Sequence, residues 1–254
     1  MELLRGFCYR MGGYKGLLVQ QDMVLAADPV REVRGIRVQQ VLTDKQVETL
    51  LSFVTGTNYP ERNRVVVLLS FYAGLRAKEI AGLTWGMVLD ADGRVSDHLA
   101  LENKASKGRS GRVVPFHKTL RDALVLLHEH ESGKERVTAD GYVVTLRKGS
   151  TDVVMRAQSI KYLFREWYSR LNLTGASSHS GRRFFITRVA RLIGTTGGSM
   201  RDVMSLSGHR SLSSVQRYVE TDPRVAPHRI GKVQTENISN ESFFEQYRIV
   251  PVTS

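Results

Sequence analysis

Arginines, histidines, a lysine and a tyrosine lie in four segments of this chain, and such residues can break a phosphodiester bond without a metal ion. The reaction needs a nucleophile, donors for the non-bridging phosphate oxygens and an acid for the leaving oxygen. Arginine suits the second task because its planar fork donates two parallel hydrogen bonds and keeps its charge. A basic loop can supply the acid, and a deprotonated tyrosine can attack phosphorus. The resulting phosphotyrosine retains the energy of the broken ester, so no ATP is required.

The four segments follow one another along the chain. They are Gly74-Leu75-Arg76 with Glu79 three residues on, the loop from Lys107 to Pro115, His179-Ser180-Gly181-Arg182, and Gly208-His209 with Tyr218 nine positions later. Each is common by itself, as a helix end with a surface arginine, a solvated turn, a capping pair or a core tyrosine. Their joint occurrence in this order favours a shared function.

Together these segments resemble the motifs of the tyrosine recombinase, or phage integrase, family, over about Leu42 to Val219. The resemblance implies an α+β fold that is mainly helical, with a tyrosine recombinase-like catalytic domain containing a small antiparallel sheet and a hairpin. It implies a site-specific DNA recombinase that cleaves and rejoins double-stranded DNA through a 3′-phosphotyrosyl intermediate. No cofactor and no metal are expected.

Roles for the individual residues follow from this chemistry and the resemblance. Arg76 and Arg182 bind the phosphate oxygens, Glu79 supports Arg76, and Tyr218 attacks phosphorus. Lys107 protonates the leaving 5′ oxygen, His179 handles the tyrosine proton, and His209 donates a hydrogen bond to the phosphate. Lys104 competes for the acid role, but Lys107 is preferred because it stands eight residues before Pro115, as the family's lysine usually does. The remaining candidates for contacts with DNA are Lys104, Arg109, Arg112 and Arg183.

The composition points to a polyanionic partner and against membrane insertion. Of 254 residues, 37 are Lys or Arg and 25 are Asp or Glu, giving a formal net charge of +12, which favours nucleic acid. The longest apolar run, Val65 to Leu75, is too short to span a bilayer. A single cysteine, Cys8, excludes an internal disulfide and indicates a reducing compartment. Together with the resemblance, this implies a cytoplasmic, nucleoid-associated location in a bacterial or phage context. His128 and His130 point to different sides of a helix, which argues against a zinc site.

Helical periodicity accounts for most of the chain. A capping box at Thr43 and Gln46, with a Leu42–Val47 staple, starts the first predicted helix. Its predicted apolar stripe is Val47, Leu50, Leu51 and Val54. Further helices are predicted through Val65–Tyr72, from Leu120, and over Ile160–Leu171, Ser178–Ile193, Arg201–Leu206 and Ser213–Val219. Short strands are predicted within Gly82–Gly111, including a hairpin with a basic tip, and at Tyr142–Leu146.

The domain organisation follows from where these patterns begin and end. Residues 1–40 are expected to be a basic N-terminal extension rather than a full core-binding domain, residues 41–230 the catalytic domain, and residues 231–254 a C-terminal tail. Within the tail, Glu241–Tyr247 is equally consistent with a helix that docks on another subunit and with one that folds back on its own domain. Double-stranded DNA is the expected partner, with a homo-oligomer, by resemblance a tetrameric synapse, and an accessory DNA-binding protein.

Two other functions fit parts of this pattern. A type IB topoisomerase-like enzyme would nick and close DNA with the same chemistry but would not join two sites. A DNA-binding regulator would keep the fold without the activity. All the expected catalytic positions are filled, which argues against the regulator.

Overall fold

The computed structural model describes residues 32–33, 36–37, 41–102, 111–132, 137–148, 151–193 and 198–220. The helices are α1 (Asp44–Thr55), α2 (Pro60–Tyr72), α3 (Ala77–Ala81), α4 (Lys118–Ser132), α5 (Ala157–Arg170), α6 (Ser180–Ile193), α7 (Met200–Ser207) and α8 (Leu212–Glu220). The strands are β1 (Glu32–Val33), β2 (Ile36–Arg37), β3 (His98–Leu101), β4 (Arg112–Pro115), β5 (Thr145–Lys148) and β6 (Thr151–Val154). This mainly helical α+β arrangement is the predicted fold class.

Helix α1 begins at the predicted capping box. The Thr43 hydroxyl accepts the Gln46 backbone N–H at 3.3 Å, and the Gln46 side-chain oxygen accepts the Thr43 N–H at 2.9 Å. Leu42 and Val47 are both buried, as a hydrophobic staple requires. The residues that face the core are Val47, Leu50, Leu51 and Val54, which is the predicted stripe.

Helix α2 runs through the centre of the fold, and every residue from Val65 to Phe71 is buried. A helix buried on all sides needs several partners, and α1, α4 and α6 all pack against it. Pro60 lies in its first turn, where a missing N–H costs nothing. Beyond its other end, Gly74 has a φ of +62°, and a Cβ there would lie 2.4 Å from the Phe185 ring. Glycine is therefore required for both conformation and space.

The strands form three separate two-stranded antiparallel ribbons, whereas the sequence pattern predicted a single small sheet. The β3–β4 ribbon is the predicted hairpin, with buried Leu99 opposite buried Val114. Ribbon β5–β6 starts at Thr145, three residues later than predicted, and β6 was not predicted. Ribbon β1–β2 lies in the stretch expected to be an extension without regular structure.

Residues 82–97 differ most from their local pattern, because a 3₁₀ turn at Trp85–Met87 replaces a predicted strand. The backbone N–H groups of Trp85 and Gly86 donate to the carbonyls of Gly141 and Ala139. These partners lie more than fifty residues away, so local periodicity did not reveal the turn.

Helices α6, α7 and α8 pack together, and α6 also lies against α2. The α2–α6 approach is close, since a Cβ at Gly181 would be 2.3 Å from the Ser70 hydroxyl oxygen. Helix α8 anchors itself through Val215, which is completely buried. In the part of the chain that the structure describes, no helix combines the length and apolar character needed to cross a membrane.

Candidate active site

The loop between α2 and α3 positions Arg76 through a neighbouring carboxylate. Arg76 Nη1 donates to Glu79 Oε1 at 2.8 Å, and the Arg76 backbone N–H donates to Glu79 Oε2 at 2.9 Å. The Glu79 side chain is 1% exposed, but that of Arg76 is 25% exposed. A buried carboxylate therefore holds a guanidinium that keeps an open side.

A second arginine binds the same carboxylate from strand β4. Arg112 Nη1 and Nη2 donate to the two oxygens of Glu79 at 3.2 and 3.1 Å, and Nε donates to the Leu206 carbonyl at 2.9 Å. Only 4% of the Arg112 side chain is exposed. The expectation that Arg112 contacts DNA does not fit this geometry, because its donors are turned inward onto protein acceptors.

Arg182, on the first turn of α6, joins two other segments of the site. Its Nη1 donates to the Gly74 carbonyl at 2.7 Å, and its Nη2 donates to the Ser207 carbonyl at 2.6 Å. The residue is 3% exposed. Arg182 thus ties the loop after α2 to the end of α7, although Gly74 lies 108 positions earlier in the sequence.

The carboxyl end of α7 orients His209. Gly208 ends the helix with a φ of +65°, and a Cβ there would lie 2.9 Å from Arg112 Nη1. His209 Nδ1 is 2.8 Å from the Ser207 hydroxyl, and its Nε2 is 3.4 Å from Arg182 Nη2. The two ring nitrogens are therefore both engaged, one on each side of the imidazole.

Tyr218, on helix α8, lies against this histidine. The ring centroids of His209 and Tyr218 are 5.6 Å apart, with an interplanar angle of 46°. The Arg183 guanidinium carbon is 6.0 Å from the Tyr218 ring centroid. The last predicted pair, nine positions apart in sequence, is therefore in contact in space.

Positive charge dominates the electrostatics of the site. Burial, followed by the charge of Arg76, lowers the pKa of Arg182 to about 10, while Glu79 and Tyr218 oppose the shift. Burial raises the pKa of Glu79, but the hydrogen bond and charge of Arg112, followed by those of Arg76, hold it below its ordinary value. Three arginines facing one carboxylate leave an excess of positive charge suited to a phosphate.

Burial and, after it, neighbouring positive charge lower the pKa of both candidate histidines, which favours their neutral forms. Burial, followed by the charges of Arg182 and Arg76, lowers the pKa of His209 to about 4. Burial and the charge of Lys161, followed by that of Arg182, lower the pKa of His179 as well. His179 lies on the exposed approach to α6, with its backbone N–H donating to the Ser177 hydroxyl at 3.3 Å.

The structure brings together most, but not all, of the residues that the sequence singled out. Arg76 contacts Glu79, and contacts also link Arg182, His209, Tyr218 and Arg183. Arg76 and Glu79 are close enough for their charges to affect Arg182, and Arg182 and Arg76 are close enough to affect His179. Lys104, Lys107 and Arg109 lie outside the described residues. Among the described residues, no group of three His, Cys, Asp or Glu side chains could hold a metal ion.

Sequence reasoning missed two side chains that act on these histidines. Ser207 was not singled out, yet its hydroxyl meets His209; its place two residues before that histidine was the available signal. Lys161 lies on α5, and its charge lowers the pKa of His179. No motif links α5 to the other segments, so only the folded arrangement reveals Lys161.

Comparison with known proteins agrees with this arrangement. The model of the phage integrase family matches residues 40–224. The tyrosine recombinase XerA of Thermococcus kodakarensis is 26% identical over 181 residues, covering 71% of this chain and 58% of that protein. The tyrosine recombinase XerC of Yersinia pestis is 26% identical over 210 residues, covering 81% of this chain and 64% of that protein. This chain therefore spans less than two thirds of either relative.

Among solved structures, the fold is similar to that in a crystal structure of XerA recombinase, with a TM-score of 0.57 and 18% identity. That match covers 73% of this chain and 62% of the other. At such low identity the likeness concerns the fold alone.

Proposed function

Because the chain belongs to the phage integrase family, we propose that it is a site-specific recombinase that cleaves and rejoins double-stranded DNA through a 3′-phosphotyrosyl intermediate. The observation that carries this proposal is the bonding of Arg182, whose guanidinium joins Gly74 to Ser207 and lies beside His209. The loop after α2, the start of α6 and the end of α7 thereby meet at a positively charged site next to Tyr218. We propose residues 41–230 as the catalytic domain.

Binding of the scissile phosphate is the first step of the proposed reaction. Arg76 presents a guanidinium that is partly open to solvent. Arg182, buried and bound to the Gly74 and Ser207 carbonyls, supplies a second positive charge nearby. As Tyr218 attacks, the phosphorus gains a fifth oxygen and its equatorial oxygens gain negative charge. Fixed arginines stabilise that charge without reorganisation, and so the proposed chemistry needs no metal ion.

Strand cleavage then exchanges one ester for another. Tyr218 Oη bonds to phosphorus, and the bond from phosphorus to the 5′ oxygen breaks. The neutral His179 accepts the tyrosine proton, and Lys107, proposed as the acid, gives a proton to the leaving 5′ oxygen. His209 donates a hydrogen bond to the phosphate in this scheme. A 5′ hydroxyl of another strand reverses these steps and releases Tyr218.

Strand exchange between two duplexes requires four cleavages. If each copy of the chain supplies one Tyr218, four copies are needed, which is the basis for proposing a homotetramer on DNA. An accessory DNA-binding protein is a further proposed partner. The proposed location is the cytoplasm, where the DNA substrate would be available.

Covalent trapping tests the proposal. Native protein and Tyr218→Phe are incubated with sheared, nicked DNA of the source organism in EDTA, and the reaction is stopped with detergent. Tyr142→Phe is a matched control, because Tyr142 is a partly exposed tyrosine outside the site. We expect an adduct with native protein and Tyr142→Phe but none with Tyr218→Phe, and sequencing of the attached ends identifies the site.

Other outcomes of this experiment would contradict the proposal. DNA binding without an adduct would favour a regulator that has the fold but not the activity. Adducts spread over unrelated sequences, together with relaxation of any supercoiled plasmid, would favour a topoisomerase-like enzyme.

A further inference from the structure

Arg112 connects three parts of the protein that carry different catalytic candidates. It lies at the start of β4, its Nη atoms bind Glu79 on α3, and its Nε binds the Leu206 carbonyl in the last turn of α7. Its side chain is almost entirely buried. The proposed reaction assigns no role to it.

We infer that Arg112 is a positioning residue that fixes the positions of Arg76 and His209 relative to each other for binding of the scissile phosphate. The inference rests on the proposed function. It assigns Arg112 no contact with DNA and no proton transfer. Its two effects pass through Glu79 and through the end of α7.

The effect on Arg76 passes through the carboxylate they share. Glu79 Oε1 accepts from Arg76 Nη1 and Arg112 Nη1, while Oε2 accepts from the Arg76 N–H and Arg112 Nη2. The two nitrogens of Arg112 bind both oxygens, and such a bidentate pair fixes the plane of a carboxylate. Without Arg112, Glu79 would lose the partner that binds both of its oxygens and would keep Arg76 as its hydrogen-bonded cation, with the charge of Arg182 nearby. Protonation of Glu79 would then become easier. A protonated or rotated Glu79 would no longer accept both donors of Arg76.

The effect on His209 passes through the helix end that precedes it. The last carbonyls of a helix have no partners within the helix. Here two arginines donate hydrogen bonds to them: Arg112 to the Leu206 carbonyl and Arg182 to the Ser207 carbonyl. Positive groups at this end also interact favourably with the helix dipole. Gly208 leaves just enough room for the Arg112 guanidinium. Arg112 therefore fixes the backbone three residues before His209.

The geometry of arginine explains why lysine would not substitute. Three donors in one plane reach two carboxylate oxygens and a carbonyl, whereas an ammonium group is a point charge. The charged and titratable groups around Glu79 are Arg76 at the start of α3, Arg112 on β4, Arg182 on α6 and His209 after α7. Removing Arg112 therefore changes the titration of the site as well as its shape.

Single-turnover cleavage of the site recovered by covalent trapping tests this inference. The variants are Arg112→Gln and Arg112→Lys, with Arg62→Gln as control, since Arg62 is also a buried arginine but binds Asn63 and the Thr145 carbonyl away from the site. Rates are measured from pH 5 to 9. We expect Arg112→Gln to be slower by about 10²-fold, the scale expected when reacting groups are misplaced by about 1 Å. As the pH is lowered, the activity of Arg112→Gln should begin to fall at a higher pH than that of native protein, because Glu79 is protonated more easily. Arg112→Lys should recover only part of the lost rate.

A substrate with sulfur in the bridging 5′ position separates positioning of the phosphate from protonation of the leaving group. A thiolate leaves without an acid, so a defect in protonation should disappear with this substrate. We expect the Arg112→Gln defect to persist. Recovery of the native rate by Arg112→Gln on the sulfur substrate would overturn the inference. So would a rate and pH profile of Arg112→Gln that differ from native no more than those of Arg62→Gln.

Histidine titration by NMR tests the same inference without DNA. Because the charge of Arg112 helps to lower the pKa of His209, that pKa should rise in Arg112→Gln and stay near the native value in Arg62→Gln. An unchanged His209 titration would contradict the inference. If native protein forms no adduct, the proposed function fails, while this titration still reports on Arg112.

Discussion

The end of helix α7 and helix α8 contribute neighbouring parts of one site, yet they are held in different ways. The α7 end is fixed by buried hydrogen bonds from Arg112 and Arg182, which arrive from separate elements. Tyr218 on α8 packs against His209 and lies near Arg183. Among the described residues, none forms a hydrogen bond with the Tyr218 hydroxyl. The groups proposed to bind phosphate are preorganised by polar bonds, whereas the contacts of the proposed nucleophile with the described residues are packing contacts of its ring.

Because of this difference, substitutions in the two regions should affect stability and activity differently. A side chain that donates hydrogen bonds to several backbone carbonyls contributes both to the stability of the fold and to the geometry of the site. A side chain whose reactive atom has no protein partner contributes to chemistry alone. The predictions below test this separation.

The largest effect on activity is expected from Tyr218→Phe. It removes the proposed nucleophile and should abolish covalent adduct formation, while the free energy of unfolding stays within about 0.5 kcal/mol of native, as for substitutions that break no buried contact. Urea unfolding and the trapping assay measure the two quantities. A large loss of stability would mean that the hydroxyl has a structural partner, against the comparison drawn above.

Arg182→Met should lower both the stability of the protein and its cleavage activity. It leaves the Gly74 and Ser207 carbonyls without their donor, and a buried acceptor left without a partner costs about 1–3 kcal/mol. Cleavage should fall by at least about 10²-fold, as for loss of one transition-state donor. Arg183→Gln, on the next position of the same helix, is the control for stability, because Arg183 is only half-buried. Equal stability of the two variants would contradict the assignment of Arg182 as a structural link.

Gly208→Ala should have an intermediate effect, measured as a loss in the free energy of unfolding. The left-handed backbone alone costs about 1–3 kcal/mol for a residue other than glycine, and the new Cβ would also press on Arg112. Gly93→Ala provides the matched control, because Gly93 has a φ of +74° and nothing within 4 Å of an added Cβ. The excess cost of Gly208→Ala over Gly93→Ala, from chemical denaturation, measures how tightly the α7 end is packed. No excess would mean that Arg112 moves aside freely.

The smallest effect is expected from mild acid. The pKa of His209 is about 4 in the folded protein, below its ordinary value of 6.5. The unfolded chain therefore binds more protons between these pH values, and the contribution of His209 to stability is complete above pH 6.5 and declines as the pH falls toward 4. Thermal unfolding between pH 7 and 5 should show a falling midpoint, with a shallower fall in His209→Gln. A midpoint independent of pH in this range would contradict a lowered pKa of His209 in the folded protein.

Local patterns predicted the helices well but not the polar contacts between them. The capping box at Thr43 and the stripe along α1 depend on residues within one turn of each other, and both predictions are confirmed. Arg112 was wrongly expected to face DNA, because its basic neighbours in the hairpin gave no sign of the carboxylate on α3. Gly181 was named only as part of the segment from His179 to Arg182, whereas its lack of a side chain lets α6 approach α2. Such facts depend on which elements meet, and one sequence does not encode that in any local pattern.

The bond between Arg182 and Gly74 also bears on how the protein is made. It closes a loop of more than a hundred residues, and contacts so distant in sequence form slowly, after local helices. During synthesis, the α2 end emerges from the ribosome well before its partners on α6 and α7 exist. The proposed phosphate-binding arrangement therefore cannot assemble until residue 209 has been added, and the proposed nucleophile, Tyr218, follows nine residues later.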